Sequence, residues 1–397
     1  MRYIGREMEA AVRRAAANFP AVVITGPRRA GKTVMLKHLF PKAQFVLLED
    51  PDLRMRVRSD ARTFLNELRP PVILDEIQNA PELFDYIRAR IDQAPRKYGQ
   101  WLFTGSQEAP LMKGVTESMA GRAALYNLLP MSVRETDRVS LLLGGYPEVL
   151  AKPGMRDEWF ASYIQTYLER DVRALTNVRD LPAYRCFLSI LASHHGQVLN
   201  KTDLAAPLGV TVPTITQWMH ILEVTGQLLI VPPYFENFGK RLLKSPKIYL
   251  GDPGLVCHLL SIGTERVLER SPFLGPIFEG FVASEIVKAQ VNGGGRKELY
   301  YFRDQQGLEV DFLVPRPNAQ AWMVECKATR TVKPAMTRPL LELGQTSRVP
   351  SRRILVHRRA ADALPFRALS GGVEAMTVEE FAAELGGHRR GQRVSNL

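Results

Sequence analysis

One short stretch constrains this chain more than any other: Gly26, Pro27, Arg28, Arg29, Ala30, Gly31, Lys32 and Thr33. It follows the apolar run Ala21, Val22, Val23, Ile24, Thr25 and precedes Val34, Met35, Leu36 and Leu39, which are spaced as on one side of a helix. Strand, glycine loop and helix in that order make an anion cradle. Glycines let the backbone curl so that successive amides face a phosphate, and the new helix turns its positive end to the same place. Lys32 reaches the β- and γ-phosphates of a nucleotide and the Thr33 hydroxyl ligates Mg²⁺. A nucleotide site of this kind implies ATP and Mg²⁺ as cofactors.

A second apolar run, Val72, Ile73, Leu74, ends in Asp75 and Glu76, which reads as a buried strand delivering carboxylates to the edge of a parallel sheet. Asp75 would hold the Mg²⁺ through water, and Glu76 would orient and deprotonate the attacking water. A third run, Trp101, Leu102, Phe103, leads into Thr104, Gly105, Ser106 and Gln107. Its hydroxyls, Ser106 among them, stand where a γ-phosphate sensor is useful, although a strand end followed by a turn has the same pattern.

At 397 residues the chain has room for several domains, and 45% hydrophobic with 24% charged residues excludes a disordered class. The N-terminal residues are charged and amphipathic, so they read as a first helix packed on the nucleotide domain, not as a signal sequence or membrane span. Cys186, Cys257 and Cys326 are far apart and form no CxxC pair, which points to a reducing cytoplasm and away from disulfides or zinc. A net charge of +12 fits a polyanionic partner such as duplex or branched DNA, and equally an arginine-rich composition.

Arg122 follows Gly121 just beyond the third strand. It is the candidate to neutralise charge on the transferring phosphoryl, in its own subunit or in a neighbour's site, with surface ion pairing as the alternative. Gly144, Gly145, Tyr146 and Pro147 punctuate the chain before a helical region carrying Trp159, Phe160, Tyr163 and Tyr167 and ending in a structural charge cluster, Glu169, Arg170, Asp171. From Tyr184 the spacing gives three short helices. Thr211 caps the third and Pro213 lies in its first turn, while Ile215, Trp218, Met219 and Leu222 supply its buried stripe. A strand at residues 228–231 follows, the order of a winged helix-turn-helix, with Thr214, Thr216, Gln217 and His220 on its recognition face. The basic turn Lys240, Arg241, Lys244, Lys247 lies where a wing would follow a phosphate backbone.

The last third carries a second constellation. Glu279 and Glu285 lie on a helix, Asp311 on an alternating strand, and Glu325 and Lys327, two apart, on one face of the next strand. If the hairpin places Asp311 beside them, two carboxylates and an ammonium converge as in a metal-assisted phosphodiesterase, with Glu279 an additional metal ligand from the helix. The arginines of the tail after Arg352, namely Arg353, Arg358, Arg359, Arg389, Arg390 and Arg393, would extend a DNA path or be solvated.

The segments GPRRAGKT, VILDEIQ, FTGSQ, AGRAALYNLLPMS, GGYPEVL, YLERDV, KSPKIYLGDPGL, FEGFVASE, LEVDFLV and VECKA, in this order, resemble the prokaryotic AAA_14/DUF4143 ATPases. These join an AAA+-type P-loop domain to a C-terminal domain of unknown function. Spacing and resemblance together give the expectation of a multidomain α/β chain: an AAA+-type ATPase domain over 1–135, a helical lid or linker over 136–180, a winged helix over 181–262, and a restriction-endonuclease-like α/β domain over 263–397. The resemblance implies an ATP site at residues 26–33, Asp75 and Glu76, and a PD-(D/E)XK nuclease-like site at Asp311, Glu325 and Lys327. The expected protein is a cytoplasmic homo-oligomer, up to a hexameric ring, that hydrolyses ATP, binds DNA and processes or remodels it. The alternative is a non-cleaving ATP-dependent switch acting on a protein partner.

Overall fold

The apolar runs of the first third form one parallel sheet. In the computed structural model, which describes residues 3–105, 117–168, 181–234, 245–317, 320–347, 350–359 and 369–387, β1 (Ala21–Thr25), β2 (Gln44–Leu47), β3 (Val72–Asp75), β4 (Trp101–Thr104) and β5 (Ala123–Asn127) lie in the order β2-β3-β4-β1-β5. Every neighbouring pair is parallel. β1, β3 and β4 are buried along their whole length because helices cover both faces. Alternation divides their side chains: Val23, Leu74 and Phe103 pack with Phe64, Phe84 and Ile87 on one face, and Val22, Ile24, Ile73 and Leu102 pack with Val12 and Leu36 on the other. The helix Glu9–Ala16, the expected first helix, supplies Val12.

Because the strands are parallel, their C-terminal ends bring Gly26, Asp75 and Thr104 to one edge. Arg122 precedes β5, whose first residue pairs with the first residue of β1, and so stands at the opposite edge.

The helices Pro147–Ala151 and Arg156–Tyr163 come next, then Leu181–Ser193, Lys201–Ala205 and Val212–Val224. Thr211 Oγ1 accepts from the Thr214 amide at 3.3 Å, capping the last of these as expected, and Ile215, Trp218, Met219 and Leu222 are buried. A hairpin of antiparallel β6 (Leu228–Val231) and β7 (Lys247–Leu250) closes the segment. The helix Leu274–Asn292 then packs against a second sheet of β8 (Tyr300–Arg303), β9 (Glu309–Arg316), β10 (Gln320–Lys327), β11 (Ser351–His357) and β12 (Val373–Met376), in the order β12-β11-β10-β9-β8. β9 is antiparallel to β8 and β10, whereas β11 and β12 continue parallel to β10.

A single apolar cluster joins Tyr146, Phe160, Phe187, Trp218, Tyr249, Phe278, Phe312 and Phe381, so the helices after β5, the three-helix segment and the second sheet share one core. No described helix is long and apolar enough to cross a membrane. None of the three cysteines is paired.

Candidate ATP site and C-terminal carboxylate site

The glycine loop takes the shape its composition permits. Gly26 and Gly31 have φ of 130° and 98°, and a Cβ on Gly26 would stand 2.2 Å from the Leu128 carbonyl oxygen, so only glycine fits there. Arg29, at φ 62°, adopts the left-handed region without being glycine. Lys32 opens the helix Lys32–Leu39 and folds over the loop, its Nζ donating to the Gly26 and Pro27 carbonyls at 2.9 Å each. The Thr33 hydroxyl donates to Asp75 Oδ1 at 2.7 Å, and Thr104 Oγ1 donates to the same oxygen. Burial raises the Asp75 carboxyl above its ordinary range, with the two hydroxyls and Lys32 pulling against it. Glu76 has a left-handed backbone, its amide donates to Thr104 Oγ1 at 3.3 Å, and Gln78 Nε2 donates to its carboxylate. Gly31, Lys32, Thr33, Asp75 and Glu76 line a cleft of about 670 Å³. A threonine hydroxyl and a carboxylate oxygen in direct contact at a phosphate loop are the donor set that Mg²⁺ takes with a nucleotide.

Sequence reasoning missed part of this cleft. Arg6, ahead of the first helix, donates to Ala30 O at 2.8 Å and to Leu129 O at 2.7 Å and pairs with Glu135 at 3.0 Å. Tyr3 and Ile4 line the same cleft. From the other side, Glu148 pairs with Arg29 at 3.0 Å, and the Tyr167 hydroxyl accepts from Arg29 Nε at 2.9 Å. Arg28 is nearly buried, 5.6 Å from the Tyr167 ring and 3.8 Å from the Glu49 carboxylate. Pro147, read only as punctuation, also lines the cleft. Arg122 does not approach it: its guanidinium is held by Asp92 at 2.7 and 3.0 Å at the far edge of the sheet. That position excludes action in its own subunit. Ser106 and Gln107, like Glu169, Arg170 and Asp171, lie outside the described residues.

The C-terminal carboxylates do converge, on a different plan from the one expected. β9 and β10 place Asp311, Glu325 and Lys327 on one open groove of about 780 Å³. Asp311 Oδ2 accepts from the Cys326 amide at 2.7 Å, and Lys327 Nζ donates to Glu325 Oε1 at 2.6 Å. Burial, then the charges of Glu279 and Glu325, holds the Asp311 carboxyl well above the ordinary carboxylate range; burial likewise raises Glu325. Glu279 is not a third ligand beside them. Its Oε1 accepts from Lys247 Nζ at 2.9 Å and from the Tyr249 hydroxyl at 2.5 Å. Among the described residues no group of three or more His, Cys, Asp or Glu side chains is set to hold a metal ion. Two carboxylates do suit one ion: Glu325 Oε2 is buried without a hydrogen-bond partner, and Mg²⁺ is commonly held by one or two carboxylates and water.

Lys247 also stands elsewhere than expected. Read as part of a basic wing, it is instead a buried strand residue whose ammonium meets Glu279, Glu309 and Asp311. Burial works against its charge, but these carboxylates outweigh it and raise its pKa above that of an ordinary lysine. Lys240, Arg241 and Lys244 lie outside the described residues. Of the late arginines, Arg358 pairs with Glu269 and Arg359 with Glu380, while Arg389, Arg390 and Arg393 lie outside the described residues; Arg352, just ahead of them, pairs with Glu374 and Glu384.

Parallel sheet, glycine loop, Lys32, Thr33 and Asp75 define an AAA-type P-loop ATPase that binds ATP. The AAA domain family AAA_14 matches residues 18–136, and two domains of unknown function, DUF8612 and DUF4143, match residues 136–266 and 274–378. The chain belongs to the prokaryotic family of AAA-type ATPases that carry a DUF4143 C-terminal domain. It is 33% identical over 345 residues to the uncharacterized proteins Rv2008c of Mycobacterium tuberculosis and Mb2031c of Mycobacterium bovis, covering 84% of this chain and 76% of each relative. Among solved structures it is similar to the Walker-type ATPase PABY2304 of Pyrococcus abyssi, with 15% identity, a TM-score of 0.44, and coverage of 64% of this chain and 94% of that one.

Proposed function

We propose that this ATPase acts on DNA, coupling ATP hydrolysis to remodelling or cleavage of duplex or branched DNA at a Mg²⁺-dependent, restriction-endonuclease-like C-terminal site. The observation that carries the reading is the meeting of Asp311, Glu325 and Lys327 on one open groove, with a buried, unpaired carboxylate oxygen on Glu325. The net charge of +12 supports a polyanionic partner. The three helices and hairpin of residues 181–250 are read as a winged helix, with Thr216, Gln217 and His220 exposed for groove contact.

At the ATP site, Thr33 and Asp75 would hold Mg²⁺, which when bound neutralises phosphate charge. Lys32 leaves its two loop carbonyls for the β- and γ-phosphates, and Glu76 orients the attacking water and takes its proton. Arg122 serves a neighbouring subunit's cleft, which makes the active form a homo-oligomer, a hexameric ring in its closed form. At the C-terminal site, Asp311 and Glu325 would hold Mg²⁺, whose charge activates water when bound. Lys327 positions that water against the phosphodiester and stabilises the charge of its transition state. Such a protein works in the cytoplasm.

A second reading, a switch that does not cleave, is favoured by the ion pairs of Lys327 with Glu325 and Lys247 with Glu279, which partly satisfy the carboxylates without a metal. Wild type and Lys327→Ala, assayed with Mg²⁺ and ATP on labelled duplex, forked, four-way-junction and single-stranded DNA, separate the two. Scission lost only in the variant supports the nuclease. DNA-stimulated ATP turnover with no scission in either supports a remodeller or switch, and turnover indifferent to DNA sinks both DNA readings.

A further inference from the structure

The C-terminal groove contains a cation that neither β9 nor β10 supplies. Lys247 is the first residue of β7, in the hairpin after the three helices, and its side chain is 4% exposed. We propose that the Lys247 ammonium is a built-in counter-ion standing where a second divalent cation would bridge Asp311 and the helix carboxylate, so that this site takes one Mg²⁺-class ion, between Asp311 and Glu325. The inference rests on the metal-dependent reading of the groove and specifies its metal count.

Geometry carries the first half of the argument. Lys247 Nζ lies 2.9 Å from Glu279 Oε1 and 3.9 Å from Asp311 Oδ1, between the helix carboxylate and the strand carboxylate. An ion bridging those two would have to occupy the same space. The Tyr249 hydroxyl, two residues on and from the same face of β7, takes Glu279 Oε1 as well, so two side chains of one strand commit that oxygen. Lys247 is itself fixed in place: it pairs with Val231 in the hairpin and bridges to Val198. The unpaired Glu325 Oε2 and the groove remain for an ion held by two carboxylates and water.

Charge carries the second half. With every group in the ionised form that a bound cation requires, Glu279, Asp311 and Glu325 contribute three negative charges and Lys247 and Lys327 two positive ones, while Glu309 at the rim is also met by Arg303 at 3.4 Å. Counting Glu309 with Arg303 as neutral, the balance is 2 − 3 = −1. One divalent ion turns this to +1, suited to a phosphodiester of charge −1; two ions would leave +3 in a largely buried cluster, which desolvation opposes. The segment matched by DUF4143 starts at residue 274 and does not contain Lys247, so that segment alone lacks this counter-ion.

The test is calorimetric titration of the nucleotide-free full chain with Mn²⁺, comparing wild type, Glu325→Gln and Lys247→Met. Any ion held at Thr33 and Asp75 is common to all three and cancels. The expected result is one more ion per chain in wild type than in Glu325→Gln, and one further ion in Lys247→Met. Two ions lost on Glu325→Gln, or a folded Lys247→Met variant binding no more than wild type, would overturn the counter-ion role while leaving a metal site standing. Equal counts in wild type and Glu325→Gln would instead remove the metal-dependent reading, and this inference with it. Should Lys247→Met not fold, the wild-type difference alone decides between one ion and two, and Lys247→Arg, which keeps the charge, is expected to match wild type.

Discussion

Arg6 Nη1 donates to the Ala30 carbonyl at 2.8 Å, tying the segment ahead of the first helix to the middle of the glycine loop. The same guanidinium pairs with Glu135, and both side chains are almost wholly shielded from water. Arg6→Ala therefore strands a buried carboxylate and frees two carbonyls at once. Removing one partner of a buried pair costs about 3–5 kcal/mol. Unfolding by urea should show a loss of that order, with weaker ATP binding, whereas Arg14→Ala on the exposed side of the first helix should be near neutral. Equal stability of the two variants would show that the loop does not depend on Arg6.

Lys32→Ala removes the ammonium that now rests on the Gly26 and Pro27 carbonyls, and with it the group proposed to reach the phosphates. Titration with a fluorescent ATP analogue should detect no binding. Glu76→Gln keeps the side chain's size but removes the proposed base, so ATP should bind and remain, with turnover slowed by about 10²–10⁴. Wild-type turnover in Glu76→Gln would shift the base role to another residue.

The parts legible in the sequence were those encoded by neighbours along the chain. The strand-loop-helix at residues 21–39, the carboxylates ending β3, the Thr211 cap and the Glu325/Lys327 pair each depend on local spacing. Lys247 was misread because a lysine at the end of a basic stretch looks solvated until tertiary packing brings Glu279 and Asp311 to it. One signal was present: Lys247 and Tyr249 alternate with Ile248 and Leu250 in a fully buried strand. Arg122 carried its signal too, since a residue just before a parallel strand stands at the edge opposite a loop that follows one. Arg6 had none, because its partners, two backbone carbonyls and the Glu135 carboxylate, come from distant segments.

Gly280 lies inside the helix Leu274–Asn292, where alanine would ordinarily be more stable by about 1 kcal/mol. Here the sign reverses. A Cβ at this position would come within 2.0 Å of His195 Nε2 and 3.1 Å of the Tyr249 ring. His195 cannot simply withdraw, because its Nδ1 accepts from the Leu250 amide at 3.0 Å. Gly280→Ala should destabilise by about 1–3 kcal/mol through overpacking, while Gly275→Ala, which meets nothing within 4 Å, should not. Thermal unfolding of the pair measures the contrast, and a rise in Tm for Gly280→Ala would mean that the helix and β7 are not in contact.

His195 gives the fold a pH dependence that can be read in sign and size. Burial without a countercharge pushes its pKa down from 6.5 to about 3, and Nε2 has no hydrogen-bond partner. The folded protein therefore keeps the ring neutral at pH values where the unfolded chain protonates it. A depressed folded value means that the stability is fully present above pH 6.5 and is lost as pH falls toward 3. Each unit in that window is worth about 1.4 kcal/mol, so lowering the pH from 6.5 to 5 should remove about 2 kcal/mol through this one group. His195→Asn retains an acceptor for the Leu250 amide and has no such titration, so its stability should fall less over the same range. Urea unfolding of both proteins at pH 7.5, 6.0 and 5.0 provides the comparison, and parallel pH profiles would show that the imidazole is not held neutral between β7 and Gly280.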